Sequence, residues 1–250
     1  MTFDQILAKI DDFVWGVPLI VLILAAGLLL TIRTGFIQVR HLPRALRYLF
    51  KEEVNEEEEI VHGEVSGFAS LCTALSATIG TGNIVGVATA VGILAGGPGA
   101  LFWMWMAAFL GMATKYSEGF LAVKYRTVDE DGHVLGGPFY YIEKGMGVKW
   151  KWLAKIFAFF GACVGLMGIG TFSQVNGIAS AVTGFFDPNK TNTITLFGND
   201  YSIVTVISAF VLAILAGLVI IGGLKRISSV SQVVVPFMAI LYVLTVVVLI

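Results

Sequence analysis

Six apolar runs, each close to the length a helix needs to cross a bilayer, constrain this chain more than any other feature. They cover residues 13–33, 68–94, 99–122, 153–184, 202–223 and 229–250. A crossing helix takes about 20 predominantly apolar residues. Hydrophobic residues make up 57% of the chain and charged residues 13%, against roughly 25% charge in a soluble domain. The expected fold class is therefore an all-α membrane protein with about six transmembrane helices. The fourth run is long enough to tilt or to project past the hydrocarbon. Cys72 and Cys163 lie inside apolar runs and read as small buried hydrophobes, and no Cys/His cluster has metal-binding spacing. Asp4, Asp11 and Asp12 precede the first run, the wrong sign for a cleaved signal peptide. No basic stripe suggests nucleic acid as a partner; the expected surroundings are a lipid bilayer.

Orientation follows from Lys and Arg, which concentrate on the cytoplasmic side of membrane proteins. Of the 16 basic residues, 13 fall on one side of the six-span scheme: Arg33, Arg40, Arg44, Arg47 and Lys51 after span 1, six more from Lys124 to Lys155 after span 3, and Lys225 and Arg226 after span 5. Lys9 and Lys190 fall on the other side, and Lys115 lies within span 3. This predicts an external N-terminus, with span 2 running outward from the cytoplasm. Phe36 to Phe50 alternates Phe36, Ile37, Val39, Leu42, Leu46 and Leu49 with basic residues, as expected of an amphipathic helix on the inner surface. Glu52 to Glu59 is expected to be a solvated acidic segment. The aromatics of Phe139-Tyr140-Tyr141, after Gly136-Gly137-Pro138, place the loop 127–151 at the interface.

Span 2 is chemically unusual. It reads Ser76-Ala77-Thr78-Ile79-Gly80-Thr81-Gly82-Asn83-Ile84-Val85-Gly86. Each glycine weakens a helix by about 1 kcal/mol relative to alanine. Unwound backbone is tolerated at membrane depth only where it lines a cavity or is buried in protein. A break here would free carbonyls over 76–79 for a cation and amides over 82–85 for a carboxylate. Gly82 and Gly86 are also spaced for close helix–helix packing. Residue types alone leave both readings open. A phosphate loop is not expected, since no strand precedes the run and no Lys-Ser/Thr follows it.

Span 4 carries Thr171, Ser173, Gln174 and Asn176. Polar side chains in a span face the protein interior or water. Gln174 suits an ammonium or amide group, or an interhelical hydrogen bond. In span 3, Lys115 and Glu118 are three residues apart and are expected to pair along one face. Phe102, Trp103 and Trp105 read as an interfacial belt, and Pro236 as a kink in span 6. His41, His62 and His133 lie outside the spans. No nucleophile–base pair or carboxylate cluster sits at membrane depth, so an enzyme is not expected.

The block Gly80-Thr81-Gly82-Asn83-Ile84-Val85-Gly86-Val87-Ala88-Thr89-Ala90 resembles the signature of the sodium:alanine (alanine or glycine:cation) symporter family. Gly96-Gly97-Pro98-Gly99-Ala100-Leu101-Phe102-Trp103-Met104-Trp105 continues the resemblance. So do Gly111-Met112-Ala113-Thr114-Lys115-Tyr116-Ser117-Glu118, Leu121 to Arg126, Gly223-Leu224-Lys225-Arg226-Ile227 and Val235-Pro236-Phe237-Met238. The resemblance covers essentially the whole chain. It implies an inverted-repeat fold similar to amino acid/polyamine/organocation transporters, with a broken first core helix. Residues 1–66 would be the peripheral helix and its cytoplasmic linker, and 67–250 the first five-helix repeat. A second repeat of opposite topology, absent here, would be required for a complete site.

What the resemblance implies for chemistry is symport of a small neutral amino acid, alanine or glycine, with sodium across the plasma membrane. Thr78, Gly80, Thr81, Gly82, Asn83 and Gln174 would surround the amino acid. Backbone carbonyls of Ser76 and Ile79 would join the sodium site. No cofactor is expected beyond sodium as the coupling ion. Proton coupling is the alternative, disfavoured because Glu118 is the one carboxylate in the spans. The apolar run that continues to Leu249 and Ile250 without a polar flank suggests a truncated, split-gene or inactive fragment of such a transporter.

Overall fold

The computed structural model describes residues 3–50, 65–92, 96–168, 170–189, 191–196 and 198–249. The acidic run Glu52–Glu59 lies outside them, as do Lys51, His62 and Lys190. The order of elements is α1 (Phe3–Val14), α2 (Val17–Arg33), α3 (Ile37–Arg40), α4 (Leu42–Phe50) and α5 (Gly67–Thr78). A π-type turn, Gly82–Gly86, leads into α6 (Val87–Gly92) and α7 (Gly97–Lys124). Then come β1 (Thr127–Val128), β2 (Val134–Leu135), α8 (Pro138–Met146), α9 (Lys151–Met167) and α10 (Thr171–Phe186). The hairpin β3 (Thr193–Leu196) and β4 (Asn199–Ser202) precedes α11 (Ile203–Ile220) and α12 (Gly223–Leu249).

The burial pattern is that of a membrane protein. The buried positions are small or hydroxylated: Ala69, Cys72, Ala113, Ala154 and Ala179, with Thr31, Thr183, Ser208, Ser228 and Ser231. The large aliphatic and aromatic side chains of α2, α11 and α12 point outward. Small residues let helices approach closely where no hydrophobic force drives them together. Helices also satisfy their own backbone groups, as hydrocarbon demands. Four helical stretches are long and apolar enough to cross: Phe3–Arg33, Val148–Phe186, Ile203–Ile220 and Gly223–Leu249. The pair Gly67–Thr78 and Gly82–Gly92, bent by 62°, makes a fifth if it is one span. The expected third span, α7, has the length at 28 residues. Pro98, its glycines, Lys115 and Glu118 dilute its apolar character, and it is not among the crossing stretches.

Two compact units are distinguished: Met1–Val54 with Thr89–Phe159, and Asn55–Ala88 with Phe160–Ile250. In the first, α2 packs along α7. A Cβ on Gly27 would come within 3.0 Å of Leu110 Cβ and 3.1 Å of the Leu110 carbonyl oxygen. Gly27→Leu is expected to cost ~1–3 kcal/mol by overpacking, read as a lower thermal unfolding midpoint of the solubilised protein. An unchanged midpoint would show that the two helices do not depend on this contact. The helix α2 closes with Gly35 in the left-handed region and the Phe36 amide bonded to the Thr31 carbonyl at 2.9 Å, the paired termination expected of a helix ending on glycine.

Three expectations are corrected here. Phe36 to Phe50 is not one helix: α3 and α4 are separate, and Pro43, lacking an N–H, sits in the first turn of α4 where it costs least. Span 4 is interrupted between α9 and α10, where Gly168 and Gly170 take φ of +60° and +89°. The all-α class holds for the spans, but the loops carry two short antiparallel hairpins, β1–β2 and β3–β4. The first turns through Gly132 at φ +83°, with Asp129 Oδ1 accepting from the amides of Asp131 and His133. Pro236 lies within a continuous α12. Cys72 is buried, Cys163 half-buried, and both are free thiols.

Candidate functional site

The second unit contains the break in span 2. Ser66 starts α5: its hydroxyl accepts from the Ala69 amide at 3.2 Å, the ordinary N-cap arrangement. Towards its end, side chains take over carbonyls of the helix. Ser76 Oγ donates to the Thr73 carbonyl at 2.7 Å and Thr78 Oγ1 to that of Ala74 at 2.8 Å. The helix stops at Ile79, whose ψ of 118° is extended and whose amide still reaches the Leu75 carbonyl.

Beyond Ile79 the amides find partners other than helix carbonyls. The Gly80 N–H donates to Asn83 Oδ1 at 3.1 Å, and the Asn83 N–H returns to the Gly80 carbonyl at 3.0 Å. The Thr81 N–H donates to Gln174 Oε1 at 2.9 Å. Asn83 and Gln174 therefore hold open a short stretch that would otherwise continue as helix. Among the described residues, no backbone amide closes onto the carbonyls of Ser76, Ala77, Thr78 or Ile79. These oxygens sit at the negative end of α5. They leave acceptors facing the break, as the Gly82–Gly86 turn begins beyond it.

The glycines around the break divide by role. A Cβ on Gly80 would overlap the side-chain amide of Gln174, and one on Gly177 would run into the Thr81 methyl. Gly80 is not in the left-handed region, so glycine serves there for room, not conformation. Gly82 and Gly86, candidates for close helix packing, meet no atom within 4 Å of an added Cβ among the described residues. Neither therefore packs against another helix among the described residues.

Of the sequence-predicted residues, Gly80, Thr81, Asn83 and Gln174 come together. Gly82 opens the π-type turn next to them. Ser76, Thr78 and Ile79 form the end of α5. Ser231 was not anticipated: its hydroxyl donates to Ser76 Oγ at 3.3 Å, tying α12 to α5. The signal was present as Ser228, Ser229, Ser231 and Gln232 at the start of a long apolar run. Gly177 was missed too; its spacing of three from Gln174 places both on one helix face. Asn176 lies apart from this group. With Ser180, Thr183 and Asp187 it lines a separate cavity of about 400 Å³ beneath the β3–β4 hairpin. There the Asp187 carboxylate accepts from Ser202 Oγ at 2.7 Å and from the Thr191 amide at 2.9 Å. The Ser202 hydroxyl, with these further donors, holds the Asp187 carboxyl below the usual range. Lys115 and Glu118 pair at 2.9 Å, three residues apart along α7.

The whole chain, residues 1–250, matches the sodium:alanine symporter family. The chain belongs to that family. Sodium:alanine symporter family members are transporters, not enzymes, and the several apolar stretches make this member a multi-pass membrane protein. It is 55% identical over 245 residues to an uncharacterized transporter of Haemophilus influenzae, covering 98% of this chain and 48% of that protein. It is 46% identical over 247 residues to the sodium/alanine symporter AgcS of Methanococcus maripaludis, covering 98% and 50%. A putative sodium/proton-dependent alanine carrier protein, YrbD of Bacillus subtilis, is 40% identical over 237 residues, covering 95% and 43%. The chain spans about half the length of these curated relatives.

Proposed function

We propose that this chain forms the first half of a symporter that moves a small neutral amino acid, alanine or glycine, inward with sodium across the plasma membrane. The observation that carries the reading is the break between Thr78 and Gly82, with its uncommitted carbonyls on one side and its side-chain-held amides on the other. A half-helix C-terminus presents partial negative charge to a cation, and loose amides receive a carboxylate. The carbonyls of Ser76 and Ile79 take sodium. Thr78, Gly80, Thr81, Gly82, Asn83 and Gln174 surround the amino acid. The substrate carboxylate competes with Asn83 and Gln174 for the amides of Gly80 and Thr81, so those side chains hold the site in shape until it fills.

Residues 67–250 form the first repeat after a peripheral segment, 1–66, with the N-terminus outside. A second repeat of opposite topology completes both sites. Joint occupancy by ion and amino acid biases the outward–inward equilibrium only by their differential affinity for the two states. Sodium is favoured over a proton because Glu118, the one carboxylate in the spans, is paired with Lys115.

The test is uptake of labelled alanine and glycine into proteoliposomes by the full-length protein, with and without an inward sodium gradient. Asn83→Ala removes one amide's partner, and uptake is expected to fall roughly tenfold or more, the equivalent of one well-placed hydrogen bond. Uptake indifferent to sodium sinks the coupling ion, and uptake indifferent to Asn83→Ala sinks the site.

A further inference from the structure

The amphipathic helix α4 does not lie flat against its unit. Between it and α7 is a groove of about 440 Å³ lined by Ile37, Leu42, Ala45, Met112 and Tyr116, with His41 and Arg44 among its polar members. That volume is in the ordinary range for a ligand pocket. The helix α3 is fixed beside it: Gln38 Nε2 donates to Thr31 Oγ1 at 3.1 Å, and Thr31 is buried. One wall of the groove, carried by Ile37 and Gln38, is therefore tied to α2. Leu42 and Leu46 remain about half exposed, as do Met112 and Tyr116. No ion pair involves Arg44 among the described residues. Arg40 and Arg47 add exposed positive charge on either side of it in the sequence.

An occupant must then carry two chemistries at once. It needs an apolar body for the walls formed by Ile37, Leu42, Ala45 and Met112, and an anionic oxygen cluster for a guanidinium. Arginine presents a planar fork that matches phosphate oxygens. A soluble anion leaves the apolar walls unfilled, and a neutral lipid leaves the arginine unmatched. We propose that the groove between α4 and α7 is a binding site for an anionic phospholipid of the inner leaflet, with an acyl chain against Met112 and its phosphate on Arg44. The proposal rests on the external N-terminus proposed above, which would put α4 on the inner face. It goes beyond a helix resting on the surface, because it assigns one lipid to one groove.

The test is native mass spectrometry of the full-length protein, released from micelles containing equimolar phosphatidylglycerol and phosphatidylcholine. The wild type is expected to retain one phosphatidylglycerol preferentially. Arg44→Ala is expected to reduce that preference about fivefold, the usual worth of one basic residue at an anionic surface. Met112→Trp, which fills the groove at a half-exposed position, is expected to lower retention of both lipids. Lys149→Ala, at an exposed basic residue away from the groove, is expected to change nothing. Retention of neither lipid by the wild type, equal retention of both, or equal losses in Arg44→Ala and Lys149→Ala would each overturn the site. Unchanged retention in Met112→Trp would overturn the groove as its place. Mass is read without transport, so lipid binding can fail while symport stands, and symport can fail while the lipid stays bound.

Discussion

Gly80→Ala is expected to cut sodium-driven amino-acid uptake by the full-length protein more than tenfold while leaving it folded. The added methyl lands on the side-chain amide of Gln174. That amide is the far end of a flexible side chain, so the backbone need not move; Gln174 swings away instead. The Thr81 amide then loses its partner, at a cost of about 1–3 kcal/mol, and the break loses one of its two props. Thermal stability should fall modestly, whereas uptake should fall by more than tenfold, the equivalent of ~1.4 kcal/mol at the site. The double variant Gly80→Ala with Gln174→Gly separates the two effects. With that side-chain amide gone, Gly80→Ala should cost little stability beyond Gln174→Gly alone while uptake stays low, since coupling between contacting residues shows as non-additivity. Wild-type uptake in Gly80→Ala would mean that the Gln174 contact is incidental.

The second large effect is expected at Asp187. Its carboxylate gathers the Ser202 hydroxyl with the amide and hydroxyl of Thr191, joining the end of α10 to both ends of the β3–β4 hairpin. A hydrogen bond to a charged group is worth roughly tenfold or more in a local opening equilibrium. Asp187→Ala removes three, so proteolysis within residues 192–202 should accelerate by at least that factor. Asp187 is held below the ordinary carboxylate range. A group of this kind contributes stability that is full above its unfolded value and lost as pH falls through its folded one. Cleavage should therefore be constant from neutral pH down to about pH 4, near the unperturbed value, and rise only below it. Asp187→Asn should flatten that rise. An equal acid-induced rise in Asp187→Asn would place the titrating group elsewhere.

The break at Gly80-Thr81-Gly82-Asn83 was legible because glycine and polar side chains at membrane depth have few uses. The end of α5 near Ile79 followed from the same run. Its partner was a different matter. Gln174 stands 93 residues from Thr81, and nothing in residue type says which amide a mid-span glutamine meets. Residue types admitted a packing role for Gly82 and Gly86, for which the described residues offer no partner. The interruption at Gly168 and Gly170 was hidden by the apolar character of α9 and α10, because hydropathy measures composition and not backbone sign. The hairpins were missed because strands of two to four residues carry too little alternation to register. Ser231 was hidden for a related reason: a single hydroxyl in an apolar helix can satisfy itself on a carbonyl one turn back, so its reach across to Ser76 is a property of packing.

The Gly82–Gly86 segment closes its bonds with a longer stride than the helices on either side of it. Such a turn holds a surplus residue compared with an α-helix. Each residue of an α-helix advances the chain by about 100° of rotation. Reeling the surplus in, or deleting it, would turn α6 through that angle and carry Val87 to Gly92 around to a different side. The face that α6 presents is thus fixed by the count of residues in the turn as well as by their chemistry. An insertion or deletion after Asn83 would re-aim α6 while leaving Asn83 to hold Gly80 and Gln174 to hold Thr81.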